Sequence, residues 1–215
     1  MSDKKQRFVI IDGNAIIHRA WHALPPTLIT KKGEMVNAVY GFTSILLRAL
    51  KDLRPDYIAA TFDLKGPTFR HTAYKDYKAN RVKKPDELYQ QIPLIKEVVK
   101  SFGIPIFEKE GYEADDVIAT IVQENKKSKS HEIKSIIVTG DMDTLQLVDE
   151  NTEVYSMRKG ISDTIIYDVE SVKKRFEGIT PSYLVDYRAL RGDPSDNIPG
   201  VNGIGEKTPF DFVKN

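Results

Sequence analysis

Acidic side chains mark the stretches of this chain that could do chemistry. The densest stretch, Gly111-Tyr112-Glu113-Ala114-Asp115-Asp116, places three acids in four positions at the start of an apolar helical pattern. Further acids stand at separate points of the chain, namely Asp12, Asp63, Asp141, Asp143, Asp193 and Asp196. Because carboxylate oxygens suit hard cations, a cluster of these residues would bind Mg²⁺ or Mn²⁺.

The helix that starts after Gly111 restricts how its own acids can converge. At ~100° per residue, Glu113 and Asp115 fall on opposite margins of the apolar face, so one ideal helix cannot direct both to one point. They converge only if Glu113 lies at or before the N-cap and Asp115 and Asp116 occupy the first turn, where the positive helix end favours anions. Taken alone, the stretch fits equally well a helix that merely begins with acids.

Three short apolar runs end at acids elsewhere in the chain. Residues 7–11 stop at Asp12, residues 57–62 stop at Asp63, and residues 135–139 are followed by a glycine and Asp141. Continuous apolarity is typical of strands that are covered on both faces, and helical patterns separate the runs. We therefore predict an α/β fold with a mostly parallel central sheet flanked by helices.

The predicted sheet would gather these acids in one place. The carboxyl ends of parallel strands lie along one edge, and a further short strand over residues 104–107 leads to Glu113. Each acid alone also fits a turn or a helix cap. Together, such neighbouring carboxylates repel one another unless a cation neutralises them, so the pattern predicts a metal centre.

Composition narrows the class of protein. The 215 residues include 32 basic and 31 acidic side chains, and nine of the acids belong to the predicted cluster, so the rest of the chain is strongly basic. The absence of cysteine excludes thiolate ligands. We expect a cytoplasmic monomer without a membrane segment, because no apolar run approaches the ~18 residues of a membrane span and the first seven residues are too polar for a signal peptide.

A basic segment between residues 70 and 84 contains six cationic side chains, a single acid and two interleaved tyrosines. Cations neutralise phosphates and aromatic rings stack on unpaired bases, so this composition predicts a single-stranded DNA surface. A solvated loop and helix face is the alternative for such a charge run. The predicted contact residues are Arg70, Tyr74, Lys75, Tyr77, Lys78, Arg81, Lys83 and Lys84.

A glycine-rich run over residues 200–208 follows a predicted helix. It lacks the preceding strand of a dinucleotide-binding motif. A turn between two helices exposes backbone N–H groups that suit a phosphate oxygen, so we predict a sequence-independent grip on a nucleic-acid backbone that uses Gly203, Gly205 and Lys207. A plain tight helical hairpin is the alternative. We divide the chain into a metal-binding α/β core over residues 1–178, which includes the basic segment at about 68–92, and this motif over residues 179–215.

Taken in order, the motifs resemble those of a known family. The residues concerned lie at 11–14, 62–63, 69–81, 111–116, 139–143, 190–197 and 203–208. They resemble the 5′-nuclease domain at the N-terminus of bacterial DNA polymerase I, within the flap endonuclease superfamily. The resemblance implies the PIN-like 5′-nuclease fold, with a helix-hairpin-helix type motif at its C-terminal end.

The resemblance also implies roles for single residues. Asp12, Asp63, Glu113 and Asp115 look like a first metal site, and Asp141, Asp143, Asp193 and Asp196 surround a second, with Asp116 beside them. Lys78 and Arg81 match residues that hold the scissile phosphate under a helical arch. Two Mg²⁺ ions, replaceable by Mn²⁺, and a K⁺ ion at the glycine turn are the implied cofactors.

The implied activity is hydrolysis of DNA at 5′ ends and 5′ flaps, giving 5′-phosphate and 3′-hydroxyl products in replication and repair. A polymerase domain, in the same chain or separate, is the implied partner. Two alternatives stay open. One is a truncated module that binds branched DNA with weak turnover, for which the end of the sequence at Asn215 is the only support. The other is a PIN-like RNase.

Overall fold

The central element of the fold is a six-stranded sheet. The computed structural model describes residues 5–128 and 133–204. The strands are β1 (Gln6–Asp12), β2 (Tyr57–Thr61), β3 (Ile106–Phe107), β4 (Ile133–Thr139), β5 (Thr152–Lys159) and β6 (Asp163–Tyr167). Their order is β3-β2-β1-β4-β5-β6, and every neighbouring pair is parallel except β5 and β6. The predicted mostly parallel sheet is therefore confirmed, and the antiparallel hairpin of β5 and β6 forms one of its edges.

Helices cover both faces of the sheet. They are α1 (Gly13–Ala23), α2 (Asn37–Leu53), α3 (Phe69–Ala73), α4 (Asp86–Ser101), α5 (Ala114–Lys127), α6 (Val169–Arg175) and α7 (Leu184–Arg191). Helix α2 packs between α1 and α4, whereas α5 packs against β1 and β4. Within the described residues, no helix is both long and apolar enough to cross a membrane.

Strand β1 shows why the apolar runs are continuous. Val9 and Ile11 belong to the core beneath α1, α2 and α4, whereas Ile10, between them, packs with Ile118 and Val122 of α5 on the other face. Successive side chains of a strand point to opposite faces, so a strand covered on both sides needs apolar residues at every position. This double cover leaves the carboxyl ends of the strands as the open edge.

The C-terminal region folds back towards that edge. Helix α7 is followed by a small antiparallel pair, β7 (Gly192–Asp193) and β8 (Ile198–Pro199), with a 3₁₀ turn over Pro194–Asp196 between them. Gly192 has φ +79°, and a Cβ atom there would lie 2.2 Å from the Gly200 nitrogen, so only glycine fits. The second helix of the predicted glycine-turn motif lies outside the described residues.

The start of α2 depends on a side chain from another helix. Its N-cap, Val36, has no side chain able to accept a backbone N–H. The Oε1 atom of Gln91, on α4, accepts instead from Ala38 N at 2.9 Å and from Val39 N at 3.2 Å. The Gln91 amide is buried and donates to Asn37 Oδ1, so it links the two helices beneath the core.

We expect Gln91→Leu to lower the free energy of unfolding by about 1–3 kcal/mol, because it leaves two helix-start N–H groups without an acceptor. Urea unfolding followed by circular dichroism measures the change. Gln90→Leu is the matched control, since Gln90 is exposed on the same helix. Equal stability of the two variants would contradict the capping role of Gln91.

Candidate active site

An acidic cavity opens at the carboxyl edge of the sheet. Its volume is about 510 Å³, and the acids that line it come from the ends of three strands, β1, β2 and β4, and from the start of α5. These acids are Asp12, Asp63, Glu113, Asp115, Asp141 and Asp143. Lys78 and Arg81 line the same cavity. The acids that the sequence predicted to converge at the strand ends therefore share one crevice.

Backbone N–H groups at the starts of helical segments hold these carboxylates in place. Asp12 is the N-cap of α1, and its Oδ1 accepts from Ala15 N at 3.0 Å. Asp141 is the N-cap of a 3₁₀ helix over Met142–Leu147. Asp63 accepts from Ala114 N, the first residue of α5, at 2.6 Å. The positive ends of several helical segments therefore point into the crevice and offset part of its charge.

The predicted start of α5 is confirmed. Glu113 is the N-cap, and Asp115 and Asp116 occupy the first turn. The Glu113 backbone N–H donates to Asp116 Oδ2 at 2.9 Å, which fixes the turn. Because Glu113 precedes the helix, its side chain leaves the helical face and enters the cavity together with Asp115.

The crevice strongly disfavours several negative charges at once. Burial, opposed by a hydrogen bond from the Thr139 hydroxyl, raises the pKa of Asp12 to about 6. Burial and repulsion by Asp12 and Asp141 raise the pKa of Asp115 to about 8. Burial, with repulsion by Asp141, raises the pKa of Asp143 to about 7. Such a cluster is stable in its charged form when a cation neutralises it.

A second cavity adjoins the first and modifies the expected division of the acids. Its lining acids are Glu113, Asp115, Asp116, Asp143, Asp193 and Asp196. Glu113, Asp115 and Asp143 thus face both cavities, and Asp141 lines the first. The expectation that Asp141 belongs with Asp193 differs from this arrangement, because Asp141 caps its 3₁₀ helix beside the end of β4, next to Asp12.

Basic side chains of the protein occupy several of these carboxylates. Lys78 Nζ lies 2.7 Å from Glu113 Oε1, Arg81 forms an ion pair with Asp196, and Arg188 Nη2 lies 2.5 Å from Asp143 Oδ1. While these ion pairs are formed, no group of three or more acidic or histidine side chains within residues 5–128 and 133–204 has the arrangement of a metal-binding site. The oxygen-only donor set fits Mg²⁺ or Mn²⁺ once such side chains move aside.

Asp116 has a structural partner of its own. Arg70 donates two hydrogen bonds to its carboxylate, at 2.7 and 2.8 Å. Burial would raise the pKa of Asp116, but these bonds and the backbone N–H of Glu113 outweigh it and lower the pKa. A bidentate pair therefore occupies both groups, and the ligand role of Asp116 and the DNA contact of Arg70 stay predictions.

Tyr77 differs from its expected role as a base-stacking ring. The side chain is only 5% exposed, and its hydroxyl lies 2.9 Å from Glu113 Oε2 and 3.0 Å from Asp196 Oδ2. Burial and the charge of Glu113 raise its pKa, so the phenol stays protonated. Tyr77 is therefore an anchor between two acids of the crevice. Tyr74 is 39% exposed and is accessible for stacking.

The basic segment is docked across the crevice. Lys78 N donates to Asp196 O at 2.9 Å, Asn80 Nδ2 to Pro194 O at 2.7 Å, and Asn197 Nδ2 to Asp76 O at 2.8 Å. Lys78 adopts φ +57°, a left-handed conformation that a lysine rarely takes. This tight turn directs the Lys78 side chain into the cavity.

The remaining predicted DNA contacts have different surroundings. Lys75 is exposed, Lys83 pairs with Asp86 at 2.7 Å, and Lys84 lies against His22. Gly203 has φ +83° with open space around its Cα, as a backbone approach to a phosphate requires. Gly205 and Lys207 lie outside the described residues.

Sequence reasoning missed two supporting residues. Arg188, on α7, pairs with Asp143 and lies 4.0 Å from Asp193 Oδ2. Asn14 Nδ2 donates to Asp63 Oδ2 at 2.5 Å. Asn14 belongs to the motif over residues 11–14 that contains Asp12, so its position in the sequence could have indicated a role at the site. No local sequence pattern distinguishes Arg188 from other surface arginines.

Two family models match the chain and together span nearly all of it. Residues 7–177 match the model described as 5′-3′ exonuclease, N-terminal resolvase-like domain. The chain belongs to the 5′-3′ exonuclease family. Residues 179–215 match a second model of that family, its C-terminal SAM fold. The resemblance noted in the sequence is thereby confirmed, and with it the nuclease class of this chain.

The curated relatives are much longer than this chain. DNA polymerase I of Caldicellulosiruptor bescii is 46% identical over 204 residues, which cover 94% of this chain and 23% of that protein. DNA polymerase I of Bacillus subtilis is 43% identical over 211 residues, covering 98% and 23%. The chain therefore spans less than a quarter of the length of these relatives.

Solved structures share the fold. A bacteriophage T5 protein co-crystallised with metal ions superposes with a TM-score of 0.77 at 21% identity, covering 97% of this chain and 75% of that one. A flap endonuclease of bacteriophage T5 in a complex with DNA and metal ions gives 0.76 at 19% identity, with the same coverage. The predicted 5′-nuclease fold is confirmed.

We expect Asp115→Asn to stabilise the metal-free protein. Among the described residues, no basic side chain forms an ion pair with Asp115, and neighbouring acids repel its carboxylate. The neutral asparagine side chain would remove this repulsion from the folded state. In EDTA, the Tm measured by calorimetry should rise by about 2–4 °C for each kcal/mol gained in the free energy of unfolding.

The matched control is Asp186→Asn, at an exposed position of α7. Added Mg²⁺ should stabilise the unmodified protein and the control more than Asp115→Asn. An unchanged or lower Tm of Asp115→Asn in EDTA would contradict the repulsion.

Proposed function

We propose that this chain is a metal-dependent 5′ nuclease that hydrolyses DNA phosphodiesters at 5′ ends and 5′ flaps. The observation that carries the proposal is the convergence of six carboxylates on one cavity, with Lys78 and Arg81 on its wall. Family membership supports the 5′-3′ direction. Relatives of the same fold, described as bound to DNA and metal ions, support the substrate class.

The carboxylates would hold Mg²⁺, with Mn²⁺ as a substitute. Asp12, Asp63, Glu113, Asp115 and Asp141 surround the first cavity, and Asp143, Asp193 and Asp196 extend the set into the second. Two such ions would supply Lewis acidity that activates water and offsets charge on the leaving oxygen. A K⁺ ion at the glycine turn is a further proposal, carried by the sequence resemblance.

The chain's own cations would bind the phosphate. Lys78 and Arg81 now pair with Glu113 and Asp196, and both reach the cavity from the docked segment. If those carboxylates held metal ions instead, Lys78 and Arg81 would be available to bind the non-bridging oxygens of the scissile phosphate. Fixed cations at the charge that develops there stabilise the transition state.

Supporting residues would keep this arrangement rigid. Asn14 and the Ala114 N–H orient Asp63, and Arg188 orients Asp143. We further propose that the core covers residues 1–178 and that residues 179–215 grip duplex DNA. A polymerase domain, in the same chain or separate, is the proposed partner, and the cytoplasm the proposed compartment.

Incubation with 5′-labelled flap DNA, duplex DNA and RNA, each with Mg²⁺ or EDTA, tests the activity. We expect Mg²⁺-dependent cuts near the flap junction that leave a 5′-phosphate and a 3′-hydroxyl. Binding of branched DNA without turnover would instead indicate a binding module, and preferential RNA cleavage would indicate an RNase. Either result would overturn the proposal.

We expect Asp63→Ala and Asp141→Ala to abolish cleavage, because each removes a carboxylate from the centre of the crevice. Flap binding in Ca²⁺, measured by fluorescence anisotropy, should survive. Asp186→Ala, at an exposed site, is the control and should cut normally. Full activity of either crevice variant would exclude metal-dependent chemistry at this site.

Lys78→Met should reduce the single-turnover rate about 10²–10³-fold, because it removes one fixed cation from the developing phosphate charge. Lys78→Arg should retain part of the rate. Lys51→Met serves as the control, since Lys51 is exposed at the far end of α2. A rate for Lys78→Met equal to that of the control would remove Lys78 from the mechanism.

A further inference from the structure

A basic cluster lies on the wall of the same crevice. His18 and His22, one helical turn apart on α1, both line the cavity. Lys84 Nζ approaches His22 Nε2 to 3.4 Å from the segment before α4. Arg81 lines the same wall. The structure therefore joins two histidines of one helix with a lysine that is distant along the chain.

This cluster lacks the negative partners that its neighbours have. Lys83 pairs with Asp86 and Arg81 with Asp196, whereas among the described residues Lys84, His18 and His22 form no ion pair with an acid. Desolvation at the cavity wall and the positive charges of neighbouring basic residues lower the pKa of His18. The positive charge of Lys84, beside two imidazoles that can donate hydrogen bonds, favours the binding of an anion at this wall.

The distance from the acids shows which phosphate could bind there. Helix α1 begins after Asp12 and rises ~1.5 Å per residue, so the backbone of His18 lies ~9 Å and that of His22 ~15 Å along the axis from the backbone of Asp12. This separation favours a phosphate other than the one at the acids as the ligand of His22. A strand carries a phosphate at every nucleotide, so a group a few nucleotides from the cut would reach the cluster.

We propose that His18, His22 and Lys84 form a second phosphate-binding site, which holds a phosphate of the DNA strand a few nucleotides from the scissile bond. The inference rests on the proposed function for its substrate. The phosphate has two possible sources, a 5′-terminal phosphomonoester or an internal phosphodiester of a flap. Lys84 supplies the permanent charge, and the two imidazoles supply N–H donors.

A titration with inorganic phosphate tests the site without catalysis. NMR spectra of histidine-labelled protein in EDTA should show shifts of the His18 and His22 rings, assigned by single substitutions to Gln. His71 is the internal control, because its Nδ1 contacts Thr68 and it lies outside the cluster. Shifts confined to His18 and His22 support the site, and equal shifts at His71 overturn it.

Lys84→Gln should weaken phosphate binding about tenfold or more, which corresponds to a lost charge-assisted hydrogen bond. Lys127→Gln is the matched control, since Lys127 is exposed at the end of α5 remote from the crevice and should bind phosphate like the unmodified protein. If Lys84→Gln leaves the affinity unchanged, the proposed site is wrong.

DNA binding in Ca²⁺ distinguishes the two sources. If the terminal phosphate is the ligand, a 5′-phosphorylated single strand should bind about tenfold tighter than its 5′-hydroxyl counterpart, and His22→Gln with Lys84→Gln should remove the preference. If an internal phosphodiester is the ligand, both ends bind alike and the double variant weakens longer 5′-hydroxyl flaps, with the salt slope reduced by about 0.7 per lost contact. Identical binding of all these strands by the double variant and the unmodified protein overturns the proposal.

The two proposals fail in different ways. If the unmodified protein cuts no DNA in Mg²⁺, the proposed nuclease function fails, while the phosphate titration still reports on the cluster. If it cuts DNA but His18 and His22 do not respond to phosphate, the second site alone is wrong.

Discussion

The structure depends on carboxylates that are each held by a backbone N–H at the start of a helical segment. Asp12, Asp141 and Asp193 are N-caps, and Asp63 accepts from the first residue of α5. Such bonds fix the acids at the open edge of a sheet whose faces are both covered. The crevice can therefore concentrate negative charge without disturbing the core, because the helix starts balance part of it.

Much of this arrangement could be predicted from local pattern. Continuous apolar runs indicated strands covered on both faces, and each run was followed by an acid. The start of α5 followed from helical geometry, because Glu113 and Asp115 could converge only with Glu113 at the cap. These features depend on residues a few positions apart, where periodicity and capping preferences are informative.

The remaining features depend on contacts between distant segments, which local pattern does not contain. Tyr77 looked like a stacking ring, but it is buried between Glu113 and Asp196, which lie far from it in the chain. The pairing of Arg188 with Asp143 depends on how α7 packs. The spacing of His18 and His22 was visible in the sequence, but the approach of Lys84 was not.

The ion pairs across the crevice have a practical consequence. Lys78 and Arg81 act as built-in counterions for Glu113 and Asp196, so these two carboxylates are held in place by the protein itself. If the crevice binds divalent ions as proposed, a chelator-treated preparation should therefore keep its fold. Metal binding would then require an exchange of side-chain partners and no rearrangement of the scaffold.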